Sequence, residues 1–241
     1  IPLRLVGSEM CIRDRKYVIC TLEVIIMNFD NYIFDFDGTL ANSKQCSIEA
    51  TKEAFAQFGL SEPSDADIVH YMGIPIEKSF IEMSDRFLTE DALNQLLQLF
   101  REQYRQLETT YLCSVIGISE TLEQLLRKKK QVFVVSSKKT DVLLRNLDHL
   151  GLGRFIQEAI GSDKVTRYKP DPDGINYIIQ NHHLNPARSI YIGDAIHDIQ
   201  MAKAAGIKSC GVTWGAFDAK ALLRENPDYI LNEADEINTI L

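Results

Sequence analysis

The stretch Asn31-Tyr32-Ile33-Phe34-Asp35-Phe36-Asp37-Gly38-Thr39-Leu40 changes character at its midpoint. Residues 32–34 form a short apolar run, as expected of a strand buried on both faces, and the chain then turns to two aspartates and a glycine. A buried strand that ends in carboxylates fits an open parallel sheet, where polar groups gather beyond the carboxyl ends of the strands. Outward from this point the chain alternates apolar runs with amphipathic segments, which predicts an α/β protein. Further strands are expected at 132–135, 159–160, 190–192, 209–212 and 229–231. Helices are expected near 119–130, at 140–150 before Gly151, near 173–182 and at 197–205 before Gly206. The basic run 127–130 suits the negative end of a helix dipole better than a nucleic-acid patch.

One segment departs from the alternation. Residues 43–58 carry Ile48, Phe55 and Phe58 at helical spacing, and residues 90–105 carry Leu93, Leu96, Leu97, Phe100 and Tyr104 in the same way. No strand-like run separates them. Residues 42–112 therefore read as a small helical module inserted into an α/β core made of 27–41 and 113–241.

Composition narrows the function. With 241 residues, 45% of them hydrophobic, the chain can bury a substantial core. Its formal net charge of −8 argues against non-specific binding to nucleic acid or to an anionic membrane surface. Five cysteines, Cys11, Cys20, Cys46, Cys113 and Cys210, form no C-x-x-C pair, so reduced thiols in the cytoplasm are expected rather than a disulfide framework or a zinc site. The apolar run at 18–27 is interrupted by Glu23 and is too short to span a membrane, and no secretory cleavage site follows it. Residues 1–26 read as a non-core segment. Their stretch GSEMCIRDR resembles translated adapter sequence, which makes Met27 the expected start.

The chemistry collects at strand ends. Asp35 and Asp37 follow the first strand, Ser136-Ser137-Lys138 another, and Gly193-Asp194 a third, with Asp198 four residues on. Lys169 lies in a loop between Tyr168 and Pro170-Asp171-Pro172, where the prolines can stiffen its approach. Four crowded carboxylates repel one another and call for a cation, and Mg²⁺ is the hard, oxygen-seeking choice. With Mg²⁺ and Lys169 counted, the site stands near −1, so metal is needed before a phosphate binds.

D-F-D-G-T-L at 35–40, Ser136, Lys169 and G-D-A-I-H-D at 193–198 resemble the four motifs of the haloacid dehalogenase superfamily, in the family's order and over residues 29–241. The resemblance implies a Rossmann-like parallel sheet with an α-helical cap of the C1 type. It also implies a Mg²⁺-dependent, phosphoglycolate-phosphatase-like hydrolase acting through an aspartyl phosphate. On that reading Asp35 is the nucleophile and a metal ligand. Asp37 is the acid and base and binds metal through its backbone carbonyl. Ser136 binds a phosphoryl oxygen, Lys169 offsets charge, Asp194 completes the metal shell, and Asp198 orders a metal-bound water or Lys169 from behind. Gly38, Thr39 and Ser137 are further candidates for phosphate contact.

Plainer roles compete at several positions. Ser137 and Lys138 can cap a helix, Thr39 can bond within its own loop, and His197 reads as a surface residue. Trp214 either borders the site or packs in the core, Met201 reads as helix-face packing, and the loop Tyr71-Met72-Gly73-Ile74-Pro75 either touches substrate or simply turns. Asn42 and Ser137 depart from the commonest phosphoglycolate-phosphatase pattern, which leaves the substrate open. The expected partner is a small phosphorylated metabolite, for a monomer or weak homodimer. A sugar phosphomutase of the β-phosphoglucomutase kind, a pyrophosphatase and a non-catalytic phosphate-accepting domain remain alternatives; Asp37 argues against a dehalogenase.

Overall fold

The computed structural model describes residues 29–72 and 74–240. The expectations for residues 1–26, Met27 and Gly73 lie outside these. β1 (Asn31–Phe34) leads through a short strand, β2 (Ala41–Asn42), into four helices, α1 (Lys44–Phe58), α2 (Asp65–His70), α3 (Ile76–Met83) and α4 (Glu90–Tyr111). β3 (Cys113–Ser114) brings the chain back. It is followed by α5 (Ile118–Arg127), β4 (Gln131–Val135), α6 (Thr140–His149), β5 (Glu158–Ile160) and α7 (Asp173–Asn181). β6 (Ser189–Gly193), α8 (Ile196–Ala204), β7 (Lys208–Val212), α9 (Ala219–Arg224) and β8 (Tyr229–Leu231) follow, and then a 3-10 helix over Ala234–Ile240.

Six strands form one parallel sheet in the order β5-β4-β1-β6-β7-β8. Side chains alternate between its faces with the two-residue period of a strand. Tyr32, Phe34, Val132, Val134, Ile190 and Ile192 pack on one face with Leu122 and Leu125 of α5 and Leu143 and Leu147 of α6. Ile33, Phe133, Val135 and Tyr191 pack on the other with Ile175 and Ile178 of α7 and Met201 of α8. The continuous apolar runs in the sequence follow from this burial of both faces, each large side chain contributing about 1.5–3 kcal/mol.

The chain grows from β1 through β4 to β5 on one side, then crosses to β6 and builds outward to β8. The order reverses beside β1, and a crevice forms at such a reversal beyond the carboxyl ends of the strands. Phe34 is level with Val134 and with Ile192, so the residues that follow these strands emerge together.

The helical insert is closed at its base by a feature the sequence reading did not contain. β2 and β3 pair antiparallel, Ala41 with Ser114 and Asn42 with Cys113. A two-residue ribbon has no periodicity to detect, and Asn42 belongs to it rather than to a helix. Within the insert α1 packs chiefly on α4. Phe55, Phe80 and Phe100 meet edge to face at 5.2 Å spacings, and Tyr104 continues the row 5.6 Å from Phe100. The basic run after α5 is only partly solvated, because Lys130 is buried and donates to the Phe29 carbonyl at 2.6 Å.

Candidate active site

Asp35 extends β1 by one residue, its backbone N–H donating to the Ile192 carbonyl at 2.8 Å, and its side chain is buried. The Lys169 ammonium donates to Asp35 Oδ1 at 2.6 Å and to Asp198 Oδ1 at 2.8 Å. The second Asp198 oxygen accepts the Ala195 N–H at 3.0 Å, in the first turn of α8. One carboxylate oxygen each from Asp35, Asp194 and Asp198 lie within 4.8 Å of one another.

Burial and crowding set the charge states. Burial pushes the Asp35 carboxyl up to about 7; Lys169 opposes the rise, and Asp198 and Asp37 add to it. Asp194 lies well above the usual carboxylate range for the same reason, burial first and then Asp35 and Asp198. Burial alone would lower the Lys169 ammonium, but Asp198 and Asp35 outweigh it and hold the lysine charged. An all-oxygen donor set that resists ionisation until a cation arrives suits Mg²⁺. Lys169 and the Ala195 N–H engage both oxygens of Asp198, whereas Lys169 engages one oxygen of Asp35 and Thr39 one oxygen of Asp194.

The turn after Asp37 explains two residues differently from expectation. Gly38 has φ 78°, and a Cβ there would lie 2.2 Å from Asp194 Oδ2, so the position admits no side chain. Its N–H donates to the Ala41 carbonyl at 2.8 Å instead of pointing free toward a phosphate. Thr39 is fully buried, and its hydroxyl donates to Asp194 Oδ1 at 3.2 Å. The Trp214 indole N–H in turn donates to the Thr39 carbonyl at 3.1 Å, which joins the two readings of Trp214: it packs against the core and steadies the site loop. Of the two expected phosphate contacts, Gly38 shapes the loop, and Thr39, for which a turn role was the alternative, bonds Asp194.

Asp37 is not among the three clustered carboxylates and makes contacts of its own. Its Oδ1 accepts the Ser43 hydroxyl at 2.5 Å and lies 2.9 Å from the Lys138 ammonium. Ser43 stands at the N-cap of α1 with no side-chain capping bond, and its hydroxyl donates to Asp37. The Lys138 side chain is 15% exposed and lies over the Tyr104 ring, 4.6 Å from its centroid. Burial would lower this ammonium as well, but Asp37 outweighs burial and its pKa is raised. Lys138 is therefore a partly buried cation of the site, not a solvated residue at the start of α6, and it moves the formal charge of the metal-loaded site from near −1 to near zero. Its only sequence signal was its position after the strand-end serines. Ser136 is buried with its N–H bonded to the Ile160 carbonyl at 3.0 Å, and its hydroxyl accepts the Lys138 N–H at 3.2 Å. Ser136 and Ser137 line the same cavity as Asp35 and Asp37. His197, expected at the surface, is half-buried in the wall of a second, wider cleft that reaches Asp194. Met201 packs under the sheet as expected.

Residues 32–212 match the sequence family of haloacid dehalogenase-like hydrolases. The chain is similar to pyrophosphatase PpaX of Bacillus pumilus, 28% identical over 209 residues that cover 87% of this chain and 94% of that protein. Its fold is similar to that of a predicted phosphoglycolate phosphatase from Haemophilus somnus, with TM-score 0.83 and 24% identity over 88% of this chain and 97% of the other. It is also similar to a haloacid dehalogenase-like family hydrolase of Streptococcus pneumoniae, with TM-score 0.77 and 27% identity over 88% and 98% of the two chains. With the match spanning most of the chain and the strand-end aspartates, serines and lysine meeting at one edge of the sheet, the chain belongs to the haloacid dehalogenase-like hydrolases.

Proposed function

We propose that this hydrolase removes phosphate from small phosphomonoesters through a phosphorylated Asp35. The observation that carries the reading is the Lys169 bridge, which ties the buried Asp35 carboxylate to Asp198 beside Asp194. A nucleophilic carboxylate needs positive charge around it to meet an anionic phosphate, and phosphoryl transfer is catalysed mainly by positioning and electrostatics. Asp35 and Asp194 would hold Mg²⁺, assisted by the Asp37 carbonyl. When bound, the ion supplies charge neutralisation for nucleophile and phosphate. Asp37 would protonate the leaving oxygen and later take a proton from the attacking water. Ser136, and Ser137 beside it, would bind phosphoryl oxygens, while Lys169 offsets charge and Asp198 holds Lys169. Residues 42–112 would act as a cap that excludes bulk water, with residues 27–41 and 113–241 as the core.

The test is phosphate release from a panel of phosphorylated metabolites with Mg²⁺, beside Asp35→Asn. Release that disappears in the variant, and on chelation of metal, is the expected result; undiminished release by Asp35→Asn would overturn the assignment. Pyrophosphate hydrolysis is the second reading, favoured by the name of the Bacillus pumilus relative, and pyrophosphate belongs in the same panel.

A further inference from the structure

The cavity that holds Asp35, Asp37 and Ser136 does not end at the sheet. It extends into the helical insert to a volume of about 380 Å³, within the size range of pockets that enclose whole small molecules. The insert lines it with Ile68 of α2, Ile76, Phe80 and Met83 of α3, and Phe100 of α4, beside polar Thr51, Ser79 and Gln98. Phe80 and Phe100 belong to the row of rings that runs on to Tyr104 and so to Lys138. The polar groups needed for phosphate chemistry come from the strand ends, and the larger side chains that the insert adds include two phenylalanines, two isoleucines and a methionine.

Three of the cations along this cavity face an anion, and Glu102 and Asp141 add negative charge to its lining. Lys138 is paired with Asp37, Arg145 with Glu108 and Arg101 with Glu77. Arg105 and Lys139 also reach the cavity, but both are exposed, where water screens a second anion from them. A substrate with two anionic ends would place its second charge against hydrocarbon or in the screened mouth. In-line attack by Asp35 sends the leaving group away from it, past Asp37, toward the space that Asp37 shares with the apolar walls.

We propose that the preferred substrate is the phosphomonoester of an apolar alcohol, aliphatic or aromatic, whose hydrocarbon body lies among Ile68, Ile76, Phe80, Met83 and Phe100. The inference rests on the phosphatase reading above. The phosphorus–oxygen bond to the alcohol breaks, the alcohol leaves with the proton from Asp37, and water then hydrolyses the acyl phosphate on Asp35 to inorganic phosphate.

A series of n-alkyl phosphates from ethyl to hexyl tests it, because lengthening the chain hardly changes the leaving group's acidity. With Mg²⁺ present, kcat/KM should climb by roughly two- to fourfold per methylene, the gain from burying each one. It should pass the values for phosphoglycolate and pyrophosphate before hexyl. Ile76→Ser and Met83→Ser, each checked by melting temperature for a folded chain, should reduce that climb per methylene to about half. A flat series with phosphate still released, or a preference for phosphoglycolate or pyrophosphate over hexyl phosphate, would overturn the apolar-alcohol inference and leave the hydrolase intact. No phosphate release from any compound would overturn the phosphatase reading beneath it.

Discussion

Lys138 and Asp37 meet at 2.9 Å from two different strand ends, with the Ser43 hydroxyl on the same carboxylate oxygen. This pairing fixes where the Asp37 carboxyl points, and general acid–base transfer depends on that geometry. Replacing Lys138 by Met removes a charge-assisted contact worth about 1.5–3 kcal/mol. If the contact is used in the transition state, kcat/KM should fall about 10- to 100-fold. Steady-state kinetics checks this, and a change under twofold would show that Ser43 alone positions Asp37. Asp37→Asn gives a second expectation. An activated donor with a good leaving group needs little protonation, so acetyl phosphate should still phosphorylate Asp35, while the intermediate loses its water activator. Acid-quenched mass spectrometry should then find about 80 Da of added mass on the peptide containing Asp35; label on another residue would reassign the nucleophile. The meeting of Asp35, Asp194 and Lys169 was legible in the sequence because each stands at a strand end or in the loop that follows one, in a recognisable pattern. That of Lys138 with Asp37 was not. Its burial depends on Tyr104, which arrives from a helix of the insert, and no local pattern records that approach.

At the scale of elements, α4 and α6 are joined by a buried clamp. Glu108 accepts from Arg145 Nε at 2.8 Å, from Arg145 Nη2 at 3.0 Å and from Asn146 Nδ2 at 2.8 Å. Burial would raise the Glu108 carboxyl, but these hydrogen bonds outweigh it and its pKa lies below the ordinary value of 4.5. The folded state thus favours the ionised form, so Glu108 stabilises the fold above pH 4.5 and loses that contribution as pH falls through its folded pKa. Arg145→Ala leaves the carboxylate underpaired and should cost about 1–3 kcal/mol. At about 2–4 °C per kcal/mol for a chain of this size, that is a drop of several degrees at neutral pH. The difference between parent and variant should shrink in acid; an equal difference throughout would mean that Arg145 acts by packing alone. The same clamp explains a boundary. The sequence reading ended the long helix near 105, whereas α4 continues to Tyr111, because its last turns bury Glu108 by pairing and so lack an apolar stripe. The strands were readable because burial on both faces leaves continuous apolar runs. α2, α3 and α9, at six to eight residues, contain too few turns to establish a period.

Across the whole molecule, the reversal of strand order beside β1 gathers buried carboxylates that the protein alone neutralises poorly. In the unfolded chain Asp35 ionises near 3.8, but in the metal-free folded protein it does so only near 7, and Asp194 also lies well above 3.8. Between these values the folded state holds protons that the unfolded chain has released. The stability that Asp35 contributes is therefore complete below 3.8 and is lost as pH rises through about 7. Mg²⁺ requires the ionised carboxylates, so it competes with those protons and stabilises the fold more as they leave. At one hundred times its dissociation constant a ligand adds about 2.7 kcal/mol, equivalent to roughly 5–10 °C in melting temperature here. The increment should be near full at about pH 8 and small at about pH 5, opposite in direction to the metal-free trend. Thermal melts with and without Mg²⁺ at both pH values measure it. Asp194→Asn should lose most of the increment at the higher pH while remaining folded without metal, since it removes one of the carboxylates that resist ionisation. A Mg²⁺ increment equal at the two pH values, or unchanged in Asp194→Asn, would mean that the ion binds away from the Asp35–Asp194 edge.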